Sequence, residues 1–382
     1  SYEEALSLAR KSIALVDRGQ TRSATARSIR SERGQCVTTP STRSGVGTDT
    51  LMYVFNFEGD DGFSIIAANR AVDPVLAVAE KGNYTYGEPT GVENFDFYMD
   101  VMAQSLAVIK PPKFDTIRTT PKFKTVEVNE SRSCEPLIPV NWGQGFPYGD
   151  YCSNKTSGCV ATAIAQIMAY YRFPASITTT YTDAPHAGET IALNWTSMIS
   201  YPYVYQVPAL MREIGQRVGM RYYPEYENDK RTGSGAASSN VPSCMISFGY
   251  SCASGLASYA IASIRTNLDE KHPVYVRAND ISEGGHAWIA DGYIYSRIGT
   301  EYYEEILIDN GLTLYYDYIL TNSTVQTTNL VHYNWGWDGS CDGYFAPGNG
   351  VASGNGYIFD GLQMITSIRL PRIDSNLNHD FL

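Results

Sequence analysis

A cysteine at the start of an apolar helix is the feature that most constrains this chain. Residues 157–168 read SGCVATAIAQIM, in which Gly158 precedes Cys159 and helix formers with apolar side chains at helical spacing follow. The first turn of a helix carries unpaired N–H groups and a partial positive charge, which favour thiolate over thiol. The pattern predicts a nucleophile, provided that a base lies nearby. The alternative is an ordinary buried cysteine.

Length and charge limit the classes of protein to be considered. A chain of 382 residues is long enough for two domains, and 43% hydrophobic residues allow a sizeable core. The net charge of −11 argues against a nucleic-acid partner, because phosphate binding needs a basic face. No apolar run approaches the ~18 residues that span a membrane. Because the first residue is Ser1, we expect a secreted protein whose signal peptide has been removed.

The other cysteines allow disulfides but no metal site. They lie at positions 36, 134, 152, 244, 252 and 341, enough for up to three bridges, and Cys244 and Cys252 are near enough in sequence to pair. No CxxC and no Cys/His cluster has zinc-ligand spacing, so we expect no metal. The Gly-rich segments 232–239 and 347–356 lack the lysine of a P-loop, so we expect no phosphate-bearing cofactor.

The N-terminal third predicts a small α+β unit with little polar chemistry. We expect an amphipathic helix over Tyr2 to Val16, a β-hairpin around residues 58–62, a third strand at Val75 to Ala79 and a helix at Phe95 to Ile109. The segment Gln20 to Gly47 is rich in Ser, Thr, Arg and Gly and predicts a loop.

A basic, Thr-rich segment then separates this unit from the rest of the chain. It opens on the helix-breaking residues KPPK at 110–113 and carries the cationic side chains Arg118, Lys122, Lys124 and Arg132. We interpret residues 110–133 as an exposed junction, which is either an ordinary interdomain connection or a site that is cleaved.

The remainder of the chain, from Ile138 onward, is aromatic and rich in glycine. Its patterns predict helices at Cys159 to Tyr171, Pro208 to Val218 and Leu256 to Leu268, and strands at Val274 to Arg277, Ala287 to Tyr295, Glu305 to Ile308 and Leu330 to Tyr333.

A base for Cys159 must come from five histidines, of which His286 is the strongest candidate. It lies in GGHAWIADG at 284–292, where two glycines allow close backbone approach and an apolar strand follows. His186, His272 and His379 lie in a loop, at a helix end and near the last residue, and predict solvated side chains. The role of His332 is left open, since it lies in the strand that leads to the next motif.

Two further motifs supply the remaining parts of a cysteine nucleophile's site. In NWGW at 334–337, the amide of Asn334 can hold the second ring nitrogen of the base, and Trp335 can shield the pair from water. The alternative is a strand end with core aromatics. In GQG at 143–145, the Gln144 amide can pair with the Cys159 backbone N–H as an oxyanion hole, although a lone loop Gln is usually solvated.

In this order, the motifs resemble those of the streptopain family, the bacterial papain-like cysteine peptidases made as zymogens. The resemblance covers essentially the whole chain and rests on TSGCVATA at 156–163, GGHA at 284–287 and NWGW at 334–337. It implies Cys159 as nucleophile, His286 as base, Gln144 as oxyanion donor, and Asn334 with Trp335 as supports of His286. The segment Tyr293 to Asn329 is longer and richer in Tyr than the family pattern implies.

The resemblance also implies the architecture. We expect an α+β protein with an inhibitory prodomain over residues 1–125 and a papain-like catalytic domain, part helical and part antiparallel sheet, over 126–382. The predicted function is a secreted cysteine endopeptidase that acts on proteins or peptides, is held latent by its own prodomain and is activated by proteolysis. The alternatives are a papain-like acyltransferase and a non-catalytic adhesin or binding module. An intact set of four polar site residues argues against the last.

Overall fold

The computed structural model describes residues 2–17, 34–38, 50–59, 61–69, 72–109, 122–223, 226–227, 230–231, 233–280, 284–309, 314–347 and 362–370. The helices are α1 (Tyr2–Asp17), α2 (Glu93–Val108), α3 (Cys159–Tyr171), α4 (Trp195–Ser200), α5 (Gln206–Val218), α6 (Val241–Ser247) and α7 (Ile261–Asp269). A single turn of 3-10 helix, Ser238–Asn240, precedes α6.

The strands begin in the N-terminal unit with β1 (Gln35–Thr38), β2 (Thr50–Asn56), β3 (Phe63–Ala67) and β4 (Val75–Ala79). They continue with β5 (Phe123–Cys134), β6 (Ser176–Thr178), β7 (Thr190–Ala192), β8 (Arg221–Tyr222), β9 (Tyr226–Glu227), β10 (Lys230–Arg231), β11 (Ser234–Gly235) and β12 (Ala257–Ser258). The last are β13 (Val274–Asp280), β14 (Gly284–Asp309), β15 (Leu314–Ser323), β16 (Gln326–Asn334), β17 (Gly343–Phe345) and β18 (Gln363–Ile365).

One twelve-stranded antiparallel sheet runs through both parts of the chain. Its order is β1-β2-β3-β4-β17-β16-β14-β13-β18-β12, with β5 and β15 also paired to β14. The two parts join where β4 pairs with β17, in the register Gly343↔Ala79 and Phe345↔Ala77. The expected α+β architecture is therefore confirmed, and the strands of the N-terminal unit continue the sheet formed by the rest of the chain.

Strand β14 separates the two main cores because its side chains alternate between faces. Ala287 and Ile289 pack with the helical half, around α3 and α5. Trp288 and Ala290 lie in the core that includes α2 of the N-terminal unit. The residues next to His286 in sequence thus contact opposite halves of the molecule.

A projecting arm accounts for the long Tyr-rich segment. Beyond Tyr293, β14 continues to Asp309 and pairs with β15 on one side and β5 on the other. We expected residues 110–133 to be an exposed junction. Residues 123–134 are instead strand β5, whose backbone pairs with β14 from Cys134↔Tyr293 to Phe123↔Glu304 although most of its side chains are exposed. Residues 110–121 lie outside the described ranges.

Other local predictions were also corrected. Cys244 and Cys252 both carry free thiols, so the expected pairing between them is wrong. Within Gln20 to Gly47, residues 35–38 form β1, while 20–33 and 39–47 lie outside the described ranges, as does His379. The helix expected at Leu256 to Leu268 begins only at Ile261, because residues 257–258 pair with β18 as β12. Among the helices described, none is long and apolar enough to cross a membrane.

Candidate active site

The candidate nucleophile lies where its sequence predicts. Cys159 is the first residue of α3 and is half-buried. Gly158 precedes it with φ 85°, a conformation that other residues rarely adopt. A Cβ at Gly158 would come within 2.9 Å of Ser234, so glycine is required for both backbone and space. Gly158 therefore fixes the backbone conformation at the start of α3.

A tyrosine that sequence analysis did not single out lies near the thiol. Tyr275 on β13 is buried and shares a hydrogen bond of 2.7 Å with the Ser238 hydroxyl. Burial is the main reason that the pKa of Tyr275 is raised, and the nearby Cys159 raises it further. The phenol therefore stays protonated next to the candidate thiolate. In the sequence Tyr275 is one residue of a predicted apolar strand, and nothing there indicates that it lies near Cys159.

The loop that carries Gln144 is tied to the residues just before the cysteine. The Gln144 carbonyl accepts hydrogen bonds from the Ser157 N–H at 2.9 Å and from the Ser157 hydroxyl at 3.2 Å. Gln144 is buried, and within the described ranges no hydrogen bond occupies its side-chain amide. The loop that carries Gln144 is thus tied to the residues just before Cys159, and the expected role of the Gln144 amide in an oxyanion hole stays a prediction.

The candidate base lies against a helix of the N-terminal unit. His286 is half-buried in β14, and its ring centroid lies 6.1 Å from that of Phe97 on α2. One residue along, the Ala287 carbonyl accepts a hydrogen bond of 3.2 Å from the buried Asn94 side chain. Helix α2 therefore contacts both the ring and the backbone at the position of the candidate base.

Asn334 has other partners than the ring it was expected to hold. Its Oδ1 accepts from Gln166 Nε2 at 2.9 Å and from the Gly336 N–H at 3.1 Å, and its Nδ2 donates to the Val140 carbonyl at 3.1 Å. These bonds occupy the buried amide in the full chain. The structure thus brings Asn334 to α3, and the expected role in orienting His286 stays a prediction.

Gln166 is the connecting residue that sequence analysis missed. It is fully buried on α3, and besides its bond to Asn334 its Oε1 accepts the Trp142 N–H at 3.0 Å. It therefore links the segment before Gln144 to the strand end at Asn334. The available signal was a lone Gln within an apolar helix, seven positions after Cys159 and hence on the same side.

Trp335 is buried in an aromatic cluster that both parts of the chain share. Its ring lies 5.2 Å from Trp288, and 5.6 Å and 6.2 Å from Tyr98 and Phe95 of α2. Its indole N–H donates to the Cys341 carbonyl at 3.0 Å. Removing the N-terminal unit would uncover one side of this cluster.

His332, whose role was left open, belongs to a buried charged cluster at the same junction. Its Nδ1 lies 2.6 Å from Asp291 Oδ1, and its Nε2 lies 4.0 Å from Glu80, just after β4. Burial lowers the pKa of His332, but Asp291, Glu80 and Asp342 outweigh it and raise the value to about 9. His332 is therefore charged and enclosed. The prediction of a solvated His186 is wrong: this side chain is half-buried, its ring stacks 4.5 Å from that of Tyr205, and its Nδ1 lies 2.9 Å from Glu189.

Comparisons with known proteins identify the families that match the two parts of the chain. Residues 142–345 match the Peptidase C10 family, and residues 1–105 match the Spi protease inhibitor family. Streptopain of Streptococcus pyogenes is 24% identical over 361 residues, which cover 80% of this chain and 78% of streptopain. The thiol protease/hemagglutinin PrtT of Porphyromonas gingivalis is 25% identical over 354 residues, 81% of this chain but only 36% of PrtT.

A solved structure shares the fold. A fragment of Prevotella intermedia prointerpain A, carrying a cysteine-to-alanine mutation, superposes with a TM-score of 0.53 and 21% identity over 88% of this chain and 98% of that one. The protein is thus a cysteine peptidase with an N-terminal inhibitor-like prodomain. It belongs to the Peptidase C10 family, and the expected resemblance to streptopain is confirmed.

Proposed function

We propose that the protein is a secreted endopeptidase held latent by residues 1 to about 125, with Cys159 as nucleophile, His286 as base and Gln144 as oxyanion donor. One observation carries the catalytic part. The Gln144 carbonyl binds Ser157, which lies two residues before the thiol at the N-terminus of α3, and within the described ranges no hydrogen bond occupies the Gln144 side-chain amide. Secretion is proposed from the family resemblance alone.

The chemistry follows from these groups. The Cys159 thiolate attacks the carbonyl carbon of the scissile peptide, forming a C–S bond while the carbonyl electrons move to oxygen. The Gln144 amide and the Cys159 N–H donate to that oxyanion. Protonated His286 then gives its proton to the leaving nitrogen as the C–N bond breaks. Water, deprotonated by His286, attacks the thioester, and the C–S bond breaks to release the acid and the thiol.

Latency is supported by the contacts of α2. Phe97 lies against the His286 ring, and Asn94 binds the next backbone carbonyl. A substrate that reaches His286 has to displace these side chains. Because β4 also pairs with β17, the prodomain is held by sheet hydrogen bonds as well as by side-chain packing.

The pairing of β5 limits where the activating protease is expected to cleave the chain. A protease needs an extended, accessible backbone, whereas residues 123–134 are paired along their length with β14. We therefore expect cleavage before Phe123, within the basic segment that begins at residue 110. The mature enzyme would keep β5 as part of its sheet.

The catalytic assignment is tested by cysteine replacement in the full chain. After proteolytic activation, Cys159→Ala should abolish casein cleavage while the circular dichroism spectrum is unchanged. The control is Cys252→Ala, which removes another half-buried free thiol and should leave activity intact. Casein cleavage by Cys159→Ala would refute the assignment.

The latency assignment has its own test on the intact chain. Asn94→Ala and Phe97→Ala should speed the first cleavage of the full-length protein, followed by gel electrophoresis. The matched control is Ser105→Ala on the same helix, because among the described residues the Ser105 hydroxyl bonds only to the Val101 carbonyl within α2, at 2.8 Å. Equal acceleration by Ser105→Ala would mean that general loosening of α2, rather than contact with the site, sets the rate.

A further inference from the structure

A carboxylate lies against the backbone of the loop that carries Gln144. A Cβ at Gly143 would meet three atoms of the Asp338 side chain, Oδ2 at 2.4 Å, Cγ at 2.8 Å and Oδ1 at 2.9 Å. The Asp338 carboxylate therefore packs directly on Gly143, the residue before Gln144. A side chain larger than that of glycine at position 143 would displace this carboxylate from the loop.

A buried tyrosine joins the same carboxylate to the same glycine. The Tyr148 hydroxyl donates a hydrogen bond to Asp338 and accepts one from the Gly143 N–H. Burial raises the pKa of Tyr148 and Asp338 raises it further, so the phenol keeps its proton for the bond to Asp338. The centroid of its ring lies 6.3 Å from that of the buried Trp142. Asp338 and Tyr148 thus both contact the backbone of Gly143.

The turn that carries Asp338 contacts the same segment a second time. Asp338 has φ 54°, in the left-handed region that favours glycine, asparagine and aspartate. The next residue, Gly339, has φ 80°, and a Cβ there would come within 2.9 Å of the Asn141 amide nitrogen. The turn at 338–339 therefore packs against residues 141–143 at two points, and this packing holds the Asp338 carboxylate against the loop.

Gln144 is held on both sides by contacts that do not use its side chain. On one side, the Gln144 carbonyl accepts hydrogen bonds from the Ser157 N–H and hydroxyl. On the other side, Gly143 is held by Asp338 and Tyr148. Donors that stabilise an oxyanion are most effective when their positions are fixed before the charge develops, because they then need no reorganisation during the reaction.

We propose that Asp338 is a positioning residue for the reaction, which together with Tyr148 holds the loop at Gly143 so that the Gln144 amide is aligned with the oxyanion. The proposal rests on the oxyanion role proposed for Gln144. It implies that Asp338 affects the chemical step rather than substrate binding, because the oxyanion forms only when the thiolate attacks.

The test measures kcat and KM on a fluorogenic peptide with enzyme activated from the full chain. Asp338→Gly removes the carboxylate but allows the left-handed backbone, and should lower kcat about five- to twentyfold while KM changes less than about twofold. Tyr148→Phe, which removes only the hydroxyl, should lower kcat by a similar factor. Asp338→Asn keeps an acceptor for that hydroxyl and should retain most of the activity. The control is Asp150→Ala, which removes a carboxylate of the same loop that pairs with Lys155 at 3.2 Å, and it should leave kcat unchanged.

A comparison in the Gln144→Ala enzyme shows whether Asp338 acts through Gln144. Adding Asp338→Gly to Gln144→Ala should cause no further loss of kcat, because the group that Asp338 positions is already absent. A further loss as large as in the parent enzyme would overturn the proposal, as would an effect of Asp338→Gly on KM alone, or unchanged kcat in both Asp338→Gly and Tyr148→Phe. Failure of the underlying oxyanion role would show separately, as unchanged kcat in Gln144→Ala alone.

Discussion

The buried cluster of Glu80, Asp291, His332 and Asp342 should make the protein less stable as the pH rises from 6 to 8. Asp342 accepts the Trp335 N–H at 2.8 Å through Oδ1, and its Oδ2 has no hydrogen-bond partner among the described residues. Burial raises the pKa of Asp342 to about 7, although the Trp335 N–H and His332 act against it. The Glu80 N–H donates to the Asp342 backbone carbonyl at 3.2 Å, so the N-terminal unit contacts this residue directly.

The magnitude follows from proton linkage. The pKa of Asp342 is raised in the folded protein, so the folded state holds a proton that the unfolded state has lost. Ionising Asp342 between pH 6 and 8 therefore weakens folding about tenfold, or about 1.4 kcal/mol. The pKa of His332 is also raised, to about 9. Protonated His332 therefore contributes to folding stability in full below the ordinary pKa of a histidine, and this contribution is lost as the pH rises towards about 9. Over the same interval it adds about 2 kcal/mol in the same direction.

The assay is urea unfolding of the full chain carrying Cys159→Ala, which prevents self-cleavage, followed by tryptophan fluorescence at pH 6 and 8. This protein should lose about 3 kcal/mol of unfolding free energy over the interval. With Asp342→Asn added, the loss should be clearly smaller, because the amide keeps the Trp335 contact but cannot ionise and no longer raises the pKa of His332. Equal losses with and without Asp342→Asn, or greater stability at pH 8, would refute this reasoning.

Three further predictions concern the site itself. Gln144→Ala should lower kcat by about 10²–10³-fold with a smaller change in KM, measured on a fluorogenic peptide; a change confined to KM would make it a ground-state contact. Trp335→Ala should cost about 3–5 kcal/mol in urea unfolding, because it empties the centre of the aromatic cluster, and a loss below about 1 kcal/mol would contradict that packing. Gln166→Ala should cost about 2 kcal/mol and also lower kcat, since the Trp142 N–H loses its partner; unchanged kinetics would limit Gln166 to stability.

Local sequence patterns correctly predicted helix α3 and strand β4. Helix α3 has the predicted limits, Cys159 and Tyr171, because a glycine start signal and an uninterrupted apolar period are both local. Strand β4 was likewise predicted from a short apolar run, Val75 to Ala79. The conformation of these two segments is determined largely by their own residues.

Features that depend on distant partners could not be predicted in this way. Strand β5 is polar and follows a basic segment, and only its pairing with the Tyr-rich half of β14 makes it a strand. The amide of Asn334 was predicted to hold the ring of His286, whereas its bond to Gln166 joins residues 168 positions apart and depends on tertiary structure. The pairing of β4 with β17 is equally non-local, and the hydrophobic periodicity of the sequence does not reveal it.

The most direct test of the central claim is the rate at which Cys159 is alkylated, followed by mass spectrometry of peptides from the full chain treated with iodoacetamide before and after activation. If Cys159 is the nucleophile and the prodomain restrains its site, alkylation of Cys159 should be slow in the full chain and at least about tenfold faster after cleavage. His286→Ala should remove that gain. Equal rates before and after cleavage, or preferential alkylation of another cysteine in the activated enzyme, would contradict the account.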